Sequence, residues 1–150
     1  GWAMTGWRIG YLSGKQEVIA AASALQSQST SNVCSFAQRG AIAALTHSRD
    51  CVSSMVNSYN SRRKLLINGL NEIHGISLVP PTGAFYAFPQ LPNNNRGSIE
   101  FCELALEKVG LALVPGAAFG EDSCIRISCA VSTNIINDGL NRLEKLITSI

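Results

Sequence analysis

The sequence predicts an α/β fold in which a mixed sheet packs against helices, and three observations support this. Apolar residues recur at helical spacing in several segments, and short apolar runs typical of strands lie between those segments. Two such runs follow each other closely on either side of a turn that begins at Pro80. An alternation of strands and helices is typical of layered α/β proteins.

The composition limits the classes of protein to which the chain can belong. A net charge of +2 favours neither a nucleic-acid nor a membrane-surface partner, and no apolar run approaches the ~20 residues of a membrane-spanning helix. The five cysteines are scattered and odd in number, so we expect reduced core thiols and a cytoplasmic protein. The two histidines lack ligand spacing, and we expect no metal site.

The first element is a predicted strand over Met4–Leu12, in which Arg8 and Gly10 share one face. Arginine is a permanently charged planar fork that suits phosphate or carboxylate oxygens, and Gly10 leaves room for a bulky anion. The alternative is a structural arginine that pairs with a buried carboxylate, and the residues alone leave both interpretations open.

Three helices are predicted next. Apolar residues three and four positions apart predict a helix over Lys15–Gln26, and the polar run Gln26–Asn32 predicts a solvated loop. The alanine-rich segment Ser35–Leu45 predicts a second helix. The same rhythm continues without proline over Cys51–Ile73, which predicts one long amphipathic helix. We expect its charged cluster Arg62–Lys64 to form a solvated face.

A pair of short strands is predicted after the long helix. The turn Pro80–Gly83 separates Ile76–Val79 from Ala84–Phe88. Leu91–Gly97, which contains a proline, three asparagines and a glycine, is the most loop-like segment of the chain.

The next predicted helix is Ser98–Val109. Ser98 is expected to cap its start and Gly110 lies just past its end. A strand over Leu111–Val114 follows, and the segment Pro115–Gly120 after it contains two glycines at turns.

The last predicted strand is Cys124–Cys129, where Arg126 and Ser128 share a face and apolar residues occupy the other. The purely structural interpretation of Arg126 is a salt-bridged arginine on an edge strand. A final helix begins after Ser132 or Thr133, with five apolar residues expected to pack inward: Ile135, Ile136, Leu140, Leu143 and Ile147.

The segment Ala3–Tyr11, A-M-T-G-W-R-I-G-Y, resembles the signature of the class I/II, fold-type I pyridoxal-phosphate aminotransferases, the aspartate aminotransferase superfamily. The resemblance implies that Arg8 holds the phosphate of pyridoxal 5'-phosphate. It places the catalytic Schiff-base lysine immediately before Gly1, outside this sequence. The chain is therefore expected to be a C-terminal part of such an enzyme, inactive by itself.

Three further segments resemble motifs of the same family. The step Gly83–Tyr86 implies that Phe85 lines the substrate pocket. Pro115–Gly120 resembles a family segment whose backbone approaches the active site. The run I-R-I-S at Ile125–Ser128 implies that Arg126 pairs with the α-carboxylate of the substrate. Ser31-Asn32 match a pair that lies at the dimer interface in the family.

The resemblance also implies a domain organisation. Residues 1–48 would be the end of the large cofactor-binding domain, residues 49–74 a linking helix, and residues 75–150 the small C-terminal domain. The active sites would be shared within a homodimer through the Ser31-Asn32 loop. One aspartate-specific subgroup places an arginine in this loop at the position of Ser27, so the chain departs from that subgroup.

The implied reaction moves an amino group between an amino acid and a 2-oxo acid, and aspartate is the favoured amino acid. An aromatic, alanine or prephenate aminotransferase is the first alternative. The second is the aminotransferase-like sensor domain of a transcription regulator, which would not be an enzyme.

Overall fold

The computed structural model describes residues 1–92 and 96–150, which divide into two compact units, residues 1–55 and residues 56–150. Part of the predicted Leu91–Gly97 loop lies outside the described residues. Within the described part of the chain, no helix is both long enough and apolar enough to cross a membrane. The assignment of residues 1–48, 49–74 and 75–150 to separate structural roles remains a prediction.

The first unit contains helices and no strand. A short 3₁₀ helix, Thr5–Trp7, is followed by α1 (Gln16–Ser29) and α2 (Ser35–Thr46). The predicted strand over Met4–Leu12 is therefore wrong. A strand needs a neighbour for its backbone groups, and none exists among residues 1–55, so Trp7 N–H instead donates to the Met4 carbonyl at 3.0 Å.

Helix α1 continues through most of the run that was predicted to be a loop. Its end at Ser29 lies three residues beyond Gln26. The hydroxyl of Ser27 donates to the Ala24 carbonyl at 2.8 Å, and that of Ser29 to the Leu25 carbonyl at 3.0 Å. Serine hydroxyls can thus donate hydrogen bonds to carbonyls of the preceding helical turn, so a polar run does not by itself end a helix.

Helix α3 (Asp50–Glu72) confirms the prediction of one long helix. Arg63 Nη1 donates to the Pro81 carbonyl at 2.8 Å, and the Arg62 guanidinium lies 5.6 Å from the centre of the Tyr59 ring. Both arginines are half-buried, whereas Lys64 is exposed. The prediction of a solvated face is thus wrong for the two arginines, because neighbouring acceptors and rings contact them.

A three-stranded sheet lies in the second unit. It consists of β1 (Tyr86–Ala87), β2 (Val114–Pro115) and β3 (Ile125–Ser128), in the order β1-β3-β2. β3 pairs antiparallel with both neighbours, so β1 and β2 run in the same direction without touching. The predicted α/β class holds, but each described strand pair is antiparallel, because β3 inserts between two strands that a helix connects.

The strands are shorter than predicted. The expected strand Ile76–Val79 is reduced to a single antiparallel bridge between Ser77 and Gln90. Two hydrogen bonds form this bridge. Ser77 N–H donates to the Gln90 carbonyl at 3.1 Å, and Gln90 N–H donates to the Ser77 carbonyl at 2.8 Å.

The core of the second unit lies between one face of the sheet and three helices: α3, α4 (Ser98–Val109) and α5 (Thr133–Ser149). The bounds of α4 match the prediction, and Gly110 ends it in the left-handed conformation at φ 63°. Ile135 is 58% exposed, so its predicted inward packing is wrong, whereas Leu146 was missed. The largest fully buried residues include the following: Phe101, Leu70, Ile125, Leu143 and Leu146.

All five cysteines are free thiols. Cys124 and Cys129 are buried, and burial raises the pKa of the half-buried Cys102 to about 11. The Cys102 thiol therefore stays protonated at neutral pH. The prediction of core thiols is wrong for Cys34 and Cys51, which are exposed because the first unit buries only Ala37.

Gly116 should be intolerant of any side chain. A Cβ there would lie 2.2 Å from the Glu121 carbonyl oxygen and 2.3 Å from that of Cys124. We expect Gly116→Ala to lower the free energy of unfolding by about 1–3 kcal/mol or more in urea denaturation. Gly83→Ala is the matched control, because a Cβ there meets nothing within 4 Å. Equal stability of the two variants would contradict this packing.

Candidate functional site

The Arg126 side chain lies between two aromatic rings. Its guanidinium carbon is 4.4 Å from the centre of the Tyr86 ring and 4.7 Å from that of Phe119. These are cation–π distances. No carboxylate of the described residues forms an ion pair with Arg126, and β3 is the central strand. The interpretation of Arg126 as a salt-bridged arginine on an edge strand is therefore wrong for the part of the chain that the structure describes.

The register of the sheet explains this arrangement. Tyr86 stands opposite Ser128, and residues that stand opposite each other project from the same face. Arg126 is two residues from Ser128 and so shares that face. Ile125 and Ala87 project from the other face and are buried in the core. The strand therefore separates the charged group from the hydrophobic core by alternation alone.

Further aromatic rings contact the two rings beside Arg126. The centre of the Phe85 ring lies 4.4 Å from that of Tyr86. The same ring stacks on Tyr59, with 5.9 Å between the ring centres and an angle of 29° between the rings. The rings of Phe88 and Phe119 form a T-shaped pair, with 5.9 Å between their centres and 88° between their planes. Phe85 is 39% exposed, so it is not an ordinary core phenylalanine. The Phe85 ring thus contacts Tyr86, which is one of the two rings beside Arg126.

A polar anchor holds the turn that carries Phe119. This turn is a short 3₁₀ helix, Gly116–Phe119. Ala117 N–H donates to Ser98 Oγ at 3.0 Å, and Ser98 Oγ donates to Asp122 Oδ1 at 2.7 Å. Ser98 N–H reaches the same carboxylate oxygen at 2.8 Å.

The same anchor corrects the predicted role of Ser98. Gly97 occupies the capping position of α4, and Ser98 is the first helical residue, fully buried. The hydrogen bonds from the Ser98 hydroxyl and backbone lower the pKa of the Asp122 carboxyl below its ordinary value. The Asp122 carboxylate, from a loop distant in the chain, therefore caps the start of α4, a role that the sequence predicted for Ser98.

Arg8 lies in the first unit with its side chain exposed. Its Nη1 donates to the Thr5 carbonyl at 3.2 Å, and residues 1–92 and 96–150 provide no carboxylate partner. The interpretation of Arg8 as the partner of a buried carboxylate is thus wrong within those residues. Most donors of this guanidinium remain available to a phosphate, which fits the cofactor of the resembling family.

A groove of about 580 Å³ lies within the first unit beside the Arg8 segment. It brings Ser31 and Asn32 next to residues that follow Arg8 in the chain. The residues that line it are mostly small, polar or amide-bearing: Ile9, Gly10, Tyr11, Ser23, Gln26, Ser27, Ser31, Asn32, Val33, Gln38 and Ile42. No basic side chain belongs to this lining, as the sequence indicated for the run from 26 to 33.

Four non-glycine residues in the described ranges adopt the left-handed conformation: Ala3, Arg8, Ser31 and Ala84, with φ between 51° and 63°. Each falls in a segment that resembles a family motif. Such a conformation costs about 1–3 kcal/mol per residue and persists only where the surroundings impose it. Backbone strain of this kind concentrates at functional sites.

The chain belongs to the class I and II aminotransferase family, whose model matches residues 1–143. It is 42% identical to an aspartate aminotransferase of Pinus pinaster over 95% of this chain and 32% of that protein. It is 40% identical to a probable aspartate/prephenate aminotransferase of Aquifex aeolicus, over 99% of this chain and 39% of that protein. Aminotransferases of this aspartate type depend on pyridoxal phosphate, which confirms the predicted family and cofactor.

Solved structures agree. The crystal structure of an aspartate aminotransferase from Rhizobium meliloti matches with a TM-score of 0.91 and 36% identity, over 97% of this chain and 39% of that one. An aromatic aminotransferase from Pyrococcus horikoshii matches with a TM-score of 0.92 and 34% identity, over 98% and 40%. These matches confirm the predicted fold class, and the chain spans roughly two-fifths of those structures.

Sequence reasoning missed Tyr86 and Phe119 as neighbours of Arg126. Both stand inside motifs that the sequence displays, and alternation along the strand places Tyr86 and Phe88 on one face. The missing information was the pairing register, because the same alternation fits several alignments of β1 against β3.

The Asp122 anchor should give the chain a distinct acid response. A lowered pKa means that Asp122 stabilises the fold above the pKa of its unfolded state, and that this contribution disappears as the pH falls through the folded-state pKa. We expect Asp122→Asn to lower the melting temperature at pH 7 and the difference from the parent to shrink as the pH falls through the folded-state pKa of Asp122. Glu107→Gln is the control. A gap that persisted at low pH would contradict the assignment.

Proposed function

We propose that this chain is the C-terminal part of an aminotransferase that moves an amino group between an amino acid, aspartate first, and a 2-oxo acid. The observation that carries the proposal is Arg126, a guanidinium between two rings that no carboxylate in the described ranges neutralises. Relatives that cover nearly the whole chain are named aspartate or aspartate/prephenate aminotransferases. The domain organisation of 1–48, 49–74 and 75–150 forms part of this proposal.

Arg126 would bind the α-carboxylate of the substrate. A guanidinium presents two parallel N–H donors to the two oxygens of a carboxylate, which fixes the direction as well as the position of the acid. Orientation of this kind lowers the barrier of the following step, because less freedom is lost as the reacting atoms align. Phe85, half-exposed beside Tyr86, would contact the remainder of the substrate.

Arg8 would hold the phosphate of pyridoxal phosphate. When bound, this cofactor supplies the electron sink that amino-group transfer requires. The guanidinium fits a phosphate because it is exposed and, among residues 1–92 and 96–150, donates a side-chain hydrogen bond only to the Thr5 carbonyl. We propose that the family's Schiff-base lysine lies outside this chain, immediately before Gly1, so that the 150-residue chain alone is inactive.

The partner in a homodimer would contact the Ser31-Asn32 loop. Support comes from the groove beside this loop and from the left-handed conformation of Ser31 at φ 63°. The complete protein would be cytoplasmic, with free thiols as in this chain.

A prephenate or aromatic 2-oxo acid is the second candidate substrate. The half-exposed rings of Phe85 and Phe88 favour an apolar substrate side chain, and Ser27 cannot attract a second carboxylate as an arginine would. Values of kcat/KM for aspartate, phenylalanine and prephenate-derived substrates in the full-length protein would separate the two. A preference for aspartate over phenylalanine above a hundredfold would exclude an aromatic amino acid as the amino donor.

Arg126 should dominate recognition of the substrate acid. We expect Arg126→Ala in the full-length protein to lower kcat/KM by about 30-fold to several thousand-fold, because a substrate carboxylate would lose its charged partner. Arg126→Lys should lose less, since it keeps the charge but not the fork. Arg39→Lys on exposed α2 is the control. An Arg126→Ala variant with parental kinetics would refute the role.

Arg8 should matter for the cofactor rather than the substrate. We expect Arg8→Gln to weaken binding of pyridoxal phosphate about 10- to 150-fold, as the loss of a charge-assisted hydrogen-bond pair implies. Equilibrium dialysis of the full-length protein measures this dissociation constant. Arg39→Gln removes an equivalent exposed charge and should bind the cofactor normally. Similar losses for both variants would indicate a general charge effect and reject a phosphate site.

A further inference from the structure

We propose that Tyr86 and Phe119 are positioning residues that hold the Arg126 guanidinium between their rings and take the place of a carboxylate partner. The inference rests on the proposed function, because it assigns the freed donors of Arg126 to the carboxylate of the substrate. It concerns two residues that do not themselves need to touch the substrate.

The distances carry the first step. The guanidinium carbon lies 4.4 Å from one ring centre and 4.7 Å from the other, so each ring face attracts the cation. An aromatic face attracts the positive charge without accepting the in-plane N–H groups as a carboxylate does. No hydrogen bond from the Arg126 side chain to another described residue accompanies these contacts. The donors of the fork therefore remain available.

The second step is that neither ring is loosely placed. Tyr86 is backed by Phe85 at 4.4 Å, and the Phe85 ring stacks on Tyr59 of α3. Phe119 forms a T-shaped pair with Phe88, with 5.9 Å between the ring centres and 88° between the ring planes. Each ring beside Arg126 is thus braced by another ring from the same unit.

The third step is that core packing does not explain Phe119. This side chain is 51% exposed, and Phe88 next to it is 37% exposed. A large ring that remains half in water contributes little of its possible burial energy. The turn that carries it is nevertheless fixed by Ala117 N–H on Ser98 Oγ at 3.0 Å. A fixed but exposed ring is expected where its face has a partner to hold.

A double-mutant cycle in the full-length protein tests the coupling. Tyr86→Leu and Phe119→Leu are made alone and combined with Arg126→Ala, and kcat/KM is measured with aspartate. Binding of maleate, a dicarboxylate that cannot donate an amino group, is measured by calorimetry as a readout independent of turnover. Tyr86→Phe and Phe119→Tyr retain the ring faces, and Phe36→Leu removes an exposed ring on α2.

We expect each leucine variant to weaken maleate binding about three- to tenfold and to raise KM more than it lowers kcat. The ring-retaining variants and Phe36→Leu should bind within about twofold of the parent. In the Arg126→Ala background the leucine substitutions should change kcat/KM by less than about twofold, because the group they position is gone.

Equal losses from the leucine substitutions with and without Arg126 would overturn the inference and leave the proposed function standing. The inference would also be overturned if Tyr86→Phe or Phe119→Tyr weakened maleate binding as much as the leucine variants do. If Arg126→Ala itself left maleate binding and kcat/KM unchanged, the role of Arg126 in the proposed function would fail, and the positioning role would fail with it.

Discussion

The structure of the second unit depends on the position of β3 between β1 and β2. Backbone hydrogen bonds fix its register, among them Ile125 N–H to the Pro89 carbonyl at 3.1 Å and Cys129 N–H to the Phe85 carbonyl at 2.9 Å. With the register fixed, alternation sends Ile125 into the core and Arg126 to the other face. A slip of one residue would bury the guanidinium and expose the isoleucine, and both changes would cost free energy.

The environment of Arg126 reflects a balance between stability and availability. An intramolecular carboxylate would neutralise the charge, but it would also occupy the donors that a ligand needs. Two aromatic faces attract a cation by about 0.5–2 kcal/mol each and leave those donors unused. Half-burial keeps the desolvation cost far below that of a fully buried ion. The arrangement therefore suits a cation that serves an external acid.

The segments around the two arginines are held by different means. Near Arg126, Gly116 allows carbonyl groups to approach closely, and the Ser98–Asp122 hydrogen bonds anchor the turn that carries Phe119. In the first unit, Arg8 and Ser31 adopt the left-handed conformation although neither is glycine. That unit has few buried side chains, so local hydrogen bonds such as Arg8 Nη1 to the Thr5 carbonyl account for more of its order.

The sequence by itself determined the helices and the motif residues. A helix forms its hydrogen bonds within one segment, so the limits of Ser98–Val109 could be predicted from local spacing and from Gly110. A strand depends on a distant partner, which is why Met4–Leu12 was misassigned and the order β1-β3-β2 could not be foreseen. Only the tertiary structure decided the neighbours of each arginine, because pairing register, not sequence distance, brings Tyr86 and Phe119 to Arg126.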